Sequence, residues 1–226
     1  MQAPLPHNEG ARVAALQAYR VLDTLPESTY DDLVQIASAI CGTPTALISL
    51  VDTDRQWFKA RVGLDSTETS RDVAFCAHAI LNPSEVLTVP DATKDARFVE
   101  NPLVAGDPGI RFYAGAPLVT PEGEGLGTLC VMDYVPRNLE PHQLLSLQAL
   151  ARQVMQHLEM RREIERTEDA LMNVEGSLLE MEAYQRSLEQ SHHELEVRTT
   201  TDWLTGTRSL GAFAELFEVE VARAMR

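Results

Sequence analysis

The chain has 226 residues, 44% hydrophobic and 23% charged, with only 12 Gly and 12 Pro; this balance excludes disorder, collagen-like repeats and a disulfide scaffold. Nineteen Lys and Arg against 34 Asp and Glu leave a formal charge of −15, which repels phosphate backbones and anionic headgroups and argues against nucleic-acid and membrane partners. No apolar run approaches the roughly 20 residues that cross a bilayer, no signal pattern opens the chain, and Cys41, Cys76 and Cys130 form no CxxC pair, so a reduced, cytoplasmic protein is expected.

Residues 8–20 are predicted helical, with Val13, Leu16 and Tyr19 on one face. A second helix is predicted over 27–41, with Leu33, Ile36, Ala37 and Ile40 together. TALISLV (45–51) reads as a strand, and Asp52-Thr53-Asp54 turns into a second one, QWFKARV (56–62). Trp57 and Phe58 fall on opposite faces of it, so one ring is expected in the core and the other at the surface or an interface. A short helix over 75–81, a strand over 86–89 and a helical turn from 95 to 98 follow. Strands over 111–119 and 126–132, joined by PEGEG, predict an antiparallel hairpin. Regular βαβ alternation is missing, so the fold class is α+β, with an antiparallel sheet of five or six strands and flanking helices.

Composition shifts once, near Pro141. From about 142 to 200 there is no Pro and a single Gly, Gly176, which predicts one long helix. Ile164, Leu171, Leu178, Gln185 and His192 are spaced seven apart, and a row offset by three holds Thr167, Val174, Met181, Leu188 and Leu195. Two such rows predict a left-handed coiled coil, its partner a second, parallel copy of the chain. The polar Gln185 and His192 either set register and oligomer state or loosen the seam so that two registers compete. A helix from 150 to 199 would span about 75 Å, a semi-rigid lever.

Six strings occur in order: ALQAYRVLDTLPE (15–27), LVDTDRQWFKARVGL (50–64), RDVAFCAHAI (71–80), DARFVENPLV (95–104), IRFYAGAPL (110–118) and LGTLCVMD (126–133). Together they resemble the GAF domain, in the subtype at the front of bacterial histidine kinases and diguanylate cyclases, over about residues 12–158. The resemblance implies a sensing or dimerising module that holds a small, unnamed ligand between its sheet and the elements covering it. Ala114, Gly115 and Ala116, small residues in mid-strand, could leave that room or allow a close backbone approach. The pocket candidates are Phe75, Cys76, His78, Asp91, Arg97, Phe112, Tyr113, Gly115 and Cys130.

Past the long helix, Asp202, Leu204, Thr205 and Gly206 resemble the D-x-L-T-G opening of the GGDEF domain, the diguanylate cyclase catalytic domain. Phe213 and the ending Arg223-Ala224-Met225-Arg226 fit that domain's first helix, whereas Ser209-Leu210 stand where the family usually has Asn-Arg. The metal-binding aspartates and the GG[DE]EF loop are not in the sequence, so no catalytic residue carries over. Mg and GTP enter only if a complete GGDEF domain followed. The expected organisation is a sensory domain (1–141), a signalling helix (142–200) and a GGDEF-like opening (201–226).

Cys76 and His78 stand two apart, which on a helix points them different ways, and neither fits a zinc spacing; no metal site is expected. A bilin-binding GAF domain carries its linking Cys directly before a His, and Cys76-Ala77-His78 departs from that. Nothing in the sequence places one thiolate beside a second, resolving cysteine. Asp91, Asp95, Arg97 and Asn101 read either as a charged lid over a polar ligand or as a loop tied down by its own ion pairs and hydrogen bonds. The expected function is a non-catalytic dimeric sensory module that passes a state of its front domain through the coiled coil to a cyclic di-GMP-making output domain. The alternative is a stand-alone small-molecule-binding GAF protein or a thiol redox enzyme similar to methionine sulfoxide reductases.

Overall fold

The structure, a computed structural model, describes residues 2–202 and 205–225, with the side chains of 196–199 outside that description. It divides into two compact units, residues 1–165 and 166–226.

The first unit runs α1 (Glu9–Ala18), α2 (Ser28–Cys41), β1 (Thr45–Val51), β2 (Arg55–Val62), β3 (Glu68–Ser70), α3 (Phe75–Ala79), β4 (Leu87–Val89), α4 (Pro102–Ala105), β5 (Phe112–Val119) and β6 (Gly125–Asp133). It ends in the first part of α5 (Pro141–Thr200). The sheet has six strands in the order β3-β2-β1-β6-β5-β4, every pair antiparallel, including the expected β5–β6 hairpin. β3 and α4 go beyond the sequence reading. β3 is three polar residues at the sheet edge, and α4 is a four-residue turn that Asn101 caps by accepting from the Leu103 N–H at 2.9 Å.

Both faces of the sheet are covered, and this decides how the strand residues divide. Ala46, Ile48, Leu50, Trp57, Phe112, Ala114, Leu129 and Val131 pack with α1, α2 and the start of α5, which contributes Leu147, Ala151, Val154 and Leu158. Leu47, Val51, Phe58, Tyr113 and Cys130 pack on the other side with Phe75, Cys76, Phe98, Val104 and Ile110. Trp57 and Phe58 do take opposite faces, but both are buried. The expectation of one surface ring fails because α3, α4 and the loops around them roof the second face.

The buried face of α2 is Tyr30, Leu33, Val34, Ala37 and Cys41; Ile36 and Ile40, expected inside, are exposed. Spacings of 4, 3 and 4 along 30, 34, 37 and 41 track the helical repeat over the full length, whereas 33, 36, 37 and 40 cover only two turns. β1 slips by one residue against β2 between Ile48 and Ser49, so Lys59 as well as Ala60 addresses the helical layer. Lys59 Nζ donates to Thr24 Oγ1 (2.8 Å), the Leu25 carbonyl (2.9 Å) and Glu27 (2.5 Å) and lies over the Tyr30 ring. Arg161 reaches the same Glu27 oxygen at 2.7 Å, and the Tyr19 hydroxyl is bonded to Glu159, fastening α5 to the domain. Glu9 holds α1 down by pairing with two buried arginines, Arg12 at 2.7 Å and Arg71 at 2.5 Å. Arg12 also donates to the Val51 carbonyl and Arg71 to the Asp52 carbonyl.

In the second unit α5 continues to Thr200 and α6 spans Leu210–Ala224. Ser209 caps α6 by accepting from the Ala212 N–H at 3.3 Å. Among the described residues, no helix is long and apolar enough to cross a membrane.

Candidate functional site

Alternation along β6 sends Thr128, Cys130 and Met132 toward α3, and alternation along β5 sends Tyr113 the same way. There α3 lays Cys76 against them. Cys76 Sγ is 3.8 Å from Cys130 Sγ and accepts hydrogen bonds from Thr128 Oγ1 at 3.0 Å and from the Tyr113 hydroxyl at 3.3 Å. The two hydroxyls are themselves 3.3 Å apart. Ser49 Oγ is buried near the same sulfur without a well-formed hydrogen bond, and it still favours the ionised form of Cys76. Burial opposes ionisation of Cys76, but the hydrogen-bond donors around it, Cys130 foremost, outweigh that and hold its thiol below the ordinary range. Cys130 goes the other way, pushed well up by its hydrogen bond to Cys76 and by burial. The pair is therefore one thiol poised to lose its proton beside another that keeps it. Cys41, in the other core layer, is pushed up to about 11 by burial alone.

The thiols line a mostly apolar cavity of about 220 Å³ together with Leu47, Gln56, Phe58, Phe75, Tyr113 and Met132. Its outer lining reaches Ser66, Pro108 and Tyr134, which are exposed. Gln56 is 6% exposed, and its Oε1 has no partner while Nε2 donates weakly to Thr69 Oγ1 at 3.4 Å. An orphaned acceptor on the wall of an apolar cavity suits a small molecule with an apolar body and one donor group.

The sequence-derived pocket candidates divide. Phe75, Cys76, Tyr113 and Cys130 converge on the cavity, Phe75 stacking on Tyr113 with centroids 5.1 Å apart. Phe112 does not: it points into the helical layer with Ala114 and Ala116, as alternation from Tyr113 requires. The space above Gly115 is taken by the Tyr113 side chain, since a Cβ there would lie 2.1 Å from the Tyr113 hydroxyl oxygen. The small residues of RFYAGAPL thus serve close packing on both faces. His78 turns away from Cys76 and sets its ring edge on Phe98 at 4.8 Å. Asp91 and Arg97 belong to the surface loop. Asp91 accepts from Thr93 and pairs with Lys94, and Arg97 pairs with Asp95 at 2.6 Å while lying over Phe98. Asn101 donates to the Val73 carbonyl at 3.0 Å, so this cluster has the form of a loop tied down by its own contacts.

Gln56, Phe58, Ser49 and Thr128 were not among the candidates. Thr128 was reachable by counting two back from Cys130, but the others needed the strand register. A wider groove of about 760 Å³ lies along α5, lined by Pro83, Pro117, Gln148, Arg152, Met155 and others, and none of the candidate residues enters it.

Along α5, Ile164, Leu171, Val174, Leu178, Met181, Leu188 and Leu195 are each more than half exposed, and Gln185 and His192 are exposed with them. Beyond its end, Asp202 Oδ1 accepts from the Thr205 N–H (3.0 Å) and hydroxyl (2.9 Å), and the Asp202 N–H donates to the Thr207 carbonyl at 2.7 Å. Gly206 sits at a φ of +66°, left-handed backbone that favours glycine. Three of the four residues singled out there, Asp202, Thr205 and Gly206, therefore share one tight turn; Leu204 lies outside the described residues.

A family model described as the GAF domain matches residues 25–158. A cyclic di-GMP phosphodiesterase of Pseudomonas aeruginosa is 45% identical over 153 residues, 67% of this chain but 26% of that protein's length. The chain thus corresponds to about a quarter of this curated relative. The GAF domain of an Acinetobacter phosphoenolpyruvate-protein phosphotransferase matches with a TM-score of 0.50 at 16% identity, over 69% of this chain and 98% of that one. The blue-light absorbing form of the PixJ GAF domain of Thermosynechococcus elongatus gives 0.52 at 16% identity, over 72% and 96%. At that identity the two structures speak to the fold alone.

Proposed function

Because the chain belongs to the GAF domain family, we propose that it is the regulatory part of a cyclic di-GMP signalling protein, working as a parallel homodimer. The front domain, about residues 1–141, takes up a small molecule in the cavity beside Cys76 and Cys130. The helix over 142–200 pairs with its copy, and the turn at Asp202, Thr205 and Gly206 opens a GGDEF-type output domain. The P. aeruginosa relative carries cyclic di-GMP chemistry in its name, and the turn resembles the opening of the domain that makes this nucleotide. In a dimer of such domains two nucleotide-loaded sites must meet face to face, so a change of register or crossing in the connecting helices permits or forbids the reaction.

The observation that carries this reading is the double row of exposed apolar side chains from Ile164 to Leu195. A helix with a continuous apolar stripe in water is stable when a second helix covers the stripe. Light scattering on the 226-residue chain should give the mass of a dimer, and the double substitution Leu171→Glu, Leu178→Glu should give a monomer whose amides in the front-domain sheet keep their protection in hydrogen exchange. A dimer mass that survives both charges would remove α5 as the assembly element.

A further inference from the structure

The Cys76–Cys130 pair is the feature that the relay does not use. We propose that it is an oxidisable dithiol, converted to an intramolecular disulfide by hydrogen peroxide or another small neutral hydroperoxide that enters through the adjoining cavity.

Three features of geometry carry this. The sulfurs are 3.8 Å apart, so forming a bond of about 2.05 Å requires them to close by about 1.8 Å, a side-chain movement. The three hydroxyls of Thr128, Tyr113 and Ser49 crowd Cys76 on the sheet side. Two already donate to its sulfur, and the buried Ser49 hydroxyl beside it also favours the ionised form. Thr128 and Tyr113 bear on Cys130 as well, but its own hydrogen bond to Cys76 and its burial prevail and keep its proton on. Third, the cavity joins both sulfurs to the exposed Ser66, Pro108 and Tyr134. At about 220 Å³ it admits a peroxide and excludes a tripeptide disulfide.

The chemistry balances without a further reactant. The Cys76 thiolate attacks one oxygen of the peroxide, the O–O bond breaks, and the second oxygen leaves as hydroxide, giving a sulfenic acid at Cys76. Hydroxide takes up a proton to become water. The Cys130 sulfur then attacks the sulfenic sulfur, the S–S bond forms, and its proton leaves with the hydroxyl as a second water. Two thiols lose two electrons, and the peroxide gains them. The disulfide takes Cys76 away from Thr128 and Tyr113, so the cavity wall changes with redox state. This site stands independently of the relay through α5.

The test treats the 226-residue chain with hydrogen peroxide, denatures it in N-ethylmaleimide and measures the intact mass. Untreated protein should carry three adducts. Treated protein should carry one, on Cys41, with a peptide linking Cys76 to Cys130, and oxidised glutathione at the same concentration should leave three. The Cys130→Ser variant should stop at a sulfenic acid on Cys76, a gain of one oxygen, and Cys41→Ser should still form the link. Three adducts after peroxide, a link that includes Cys41, equal oxidation by glutathione disulfide, or oxygen added first to Cys130 in a Cys76→Ser variant would each overturn the proposal.

Discussion

Replacing Gly115 by alanine adds one methyl group at a point where the nearest atoms all belong to Tyr113: the hydroxyl oxygen at 2.1 Å, Cζ at 2.6 Å and Cε1 at 3.0 Å. The ring cannot swing freely. It is fully buried and stacked on Phe75, and its hydroxyl bonds to Cys76 and Thr128. Overpacking of this kind costs about 1–3 kcal/mol. If the ring shifts and its hydroxyl loses its partners, a further ~1–3 kcal/mol is added for a stranded polar group. We expect a loss of about 3 kcal/mol by urea unfolding, a large share of the 5–15 kcal/mol typical of a domain. In a Tyr113→Leu background the same methyl meets none of those three atoms, and its cost should fall below about 1 kcal/mol, a coupling characteristic of residues in contact. An equal cost in both backgrounds, or a nearly neutral Gly115→Ala in the parent, would refute the view that this glycine exists to seat Tyr113.

Two further tests address the polar anchors. Burial would raise the Glu9 carboxyl, but the hydrogen bonds from Arg12 and Arg71 prevail and hold it at about 2, against an ordinary 4.5. A depressed carboxyl contributes stability that is complete above pH 4.5 and is lost as the pH falls from there toward 2. Screening at a partly accessible group reduces the contribution to about 2 kcal/mol. Glu9→Gln should therefore be about 2 kcal/mol less stable at neutral pH and show a flatter decline through that window; an unchanged acid limb would contradict the assignment. Lys59→Met should cost about 2 kcal/mol in urea unfolding, through the three lost donations to Thr24, Leu25 and Glu27. Little effect would mean that Arg161 alone satisfies Glu27.

The residue pattern by itself determined the elements whose signal is local. The long Pro-free segment reads as helix, TALISLV as strand, and the PEGEG hairpin as antiparallel, because each depends on propensity and periodicity over a few neighbours. What only the tertiary structure decided is which surfaces meet. Trp57 and Phe58 both went inside because the sheet has a roof on each side. Ile36 and Ile40 stayed outside because two apolar stripes compete on α2, and packing on the sheet selected the longer one through Tyr30, Val34, Ala37 and Cys41. Phe112 left the cavity because the phase of alternation along β5 is set by its pairing with β6. Cys76 and Cys130 are separated by 54 positions, a spacing without meaning along the chain. They became neighbours because β6 lies beside β5 in the middle of the sheet and α3 folds across both, and contact at that range is a property of the packed fold.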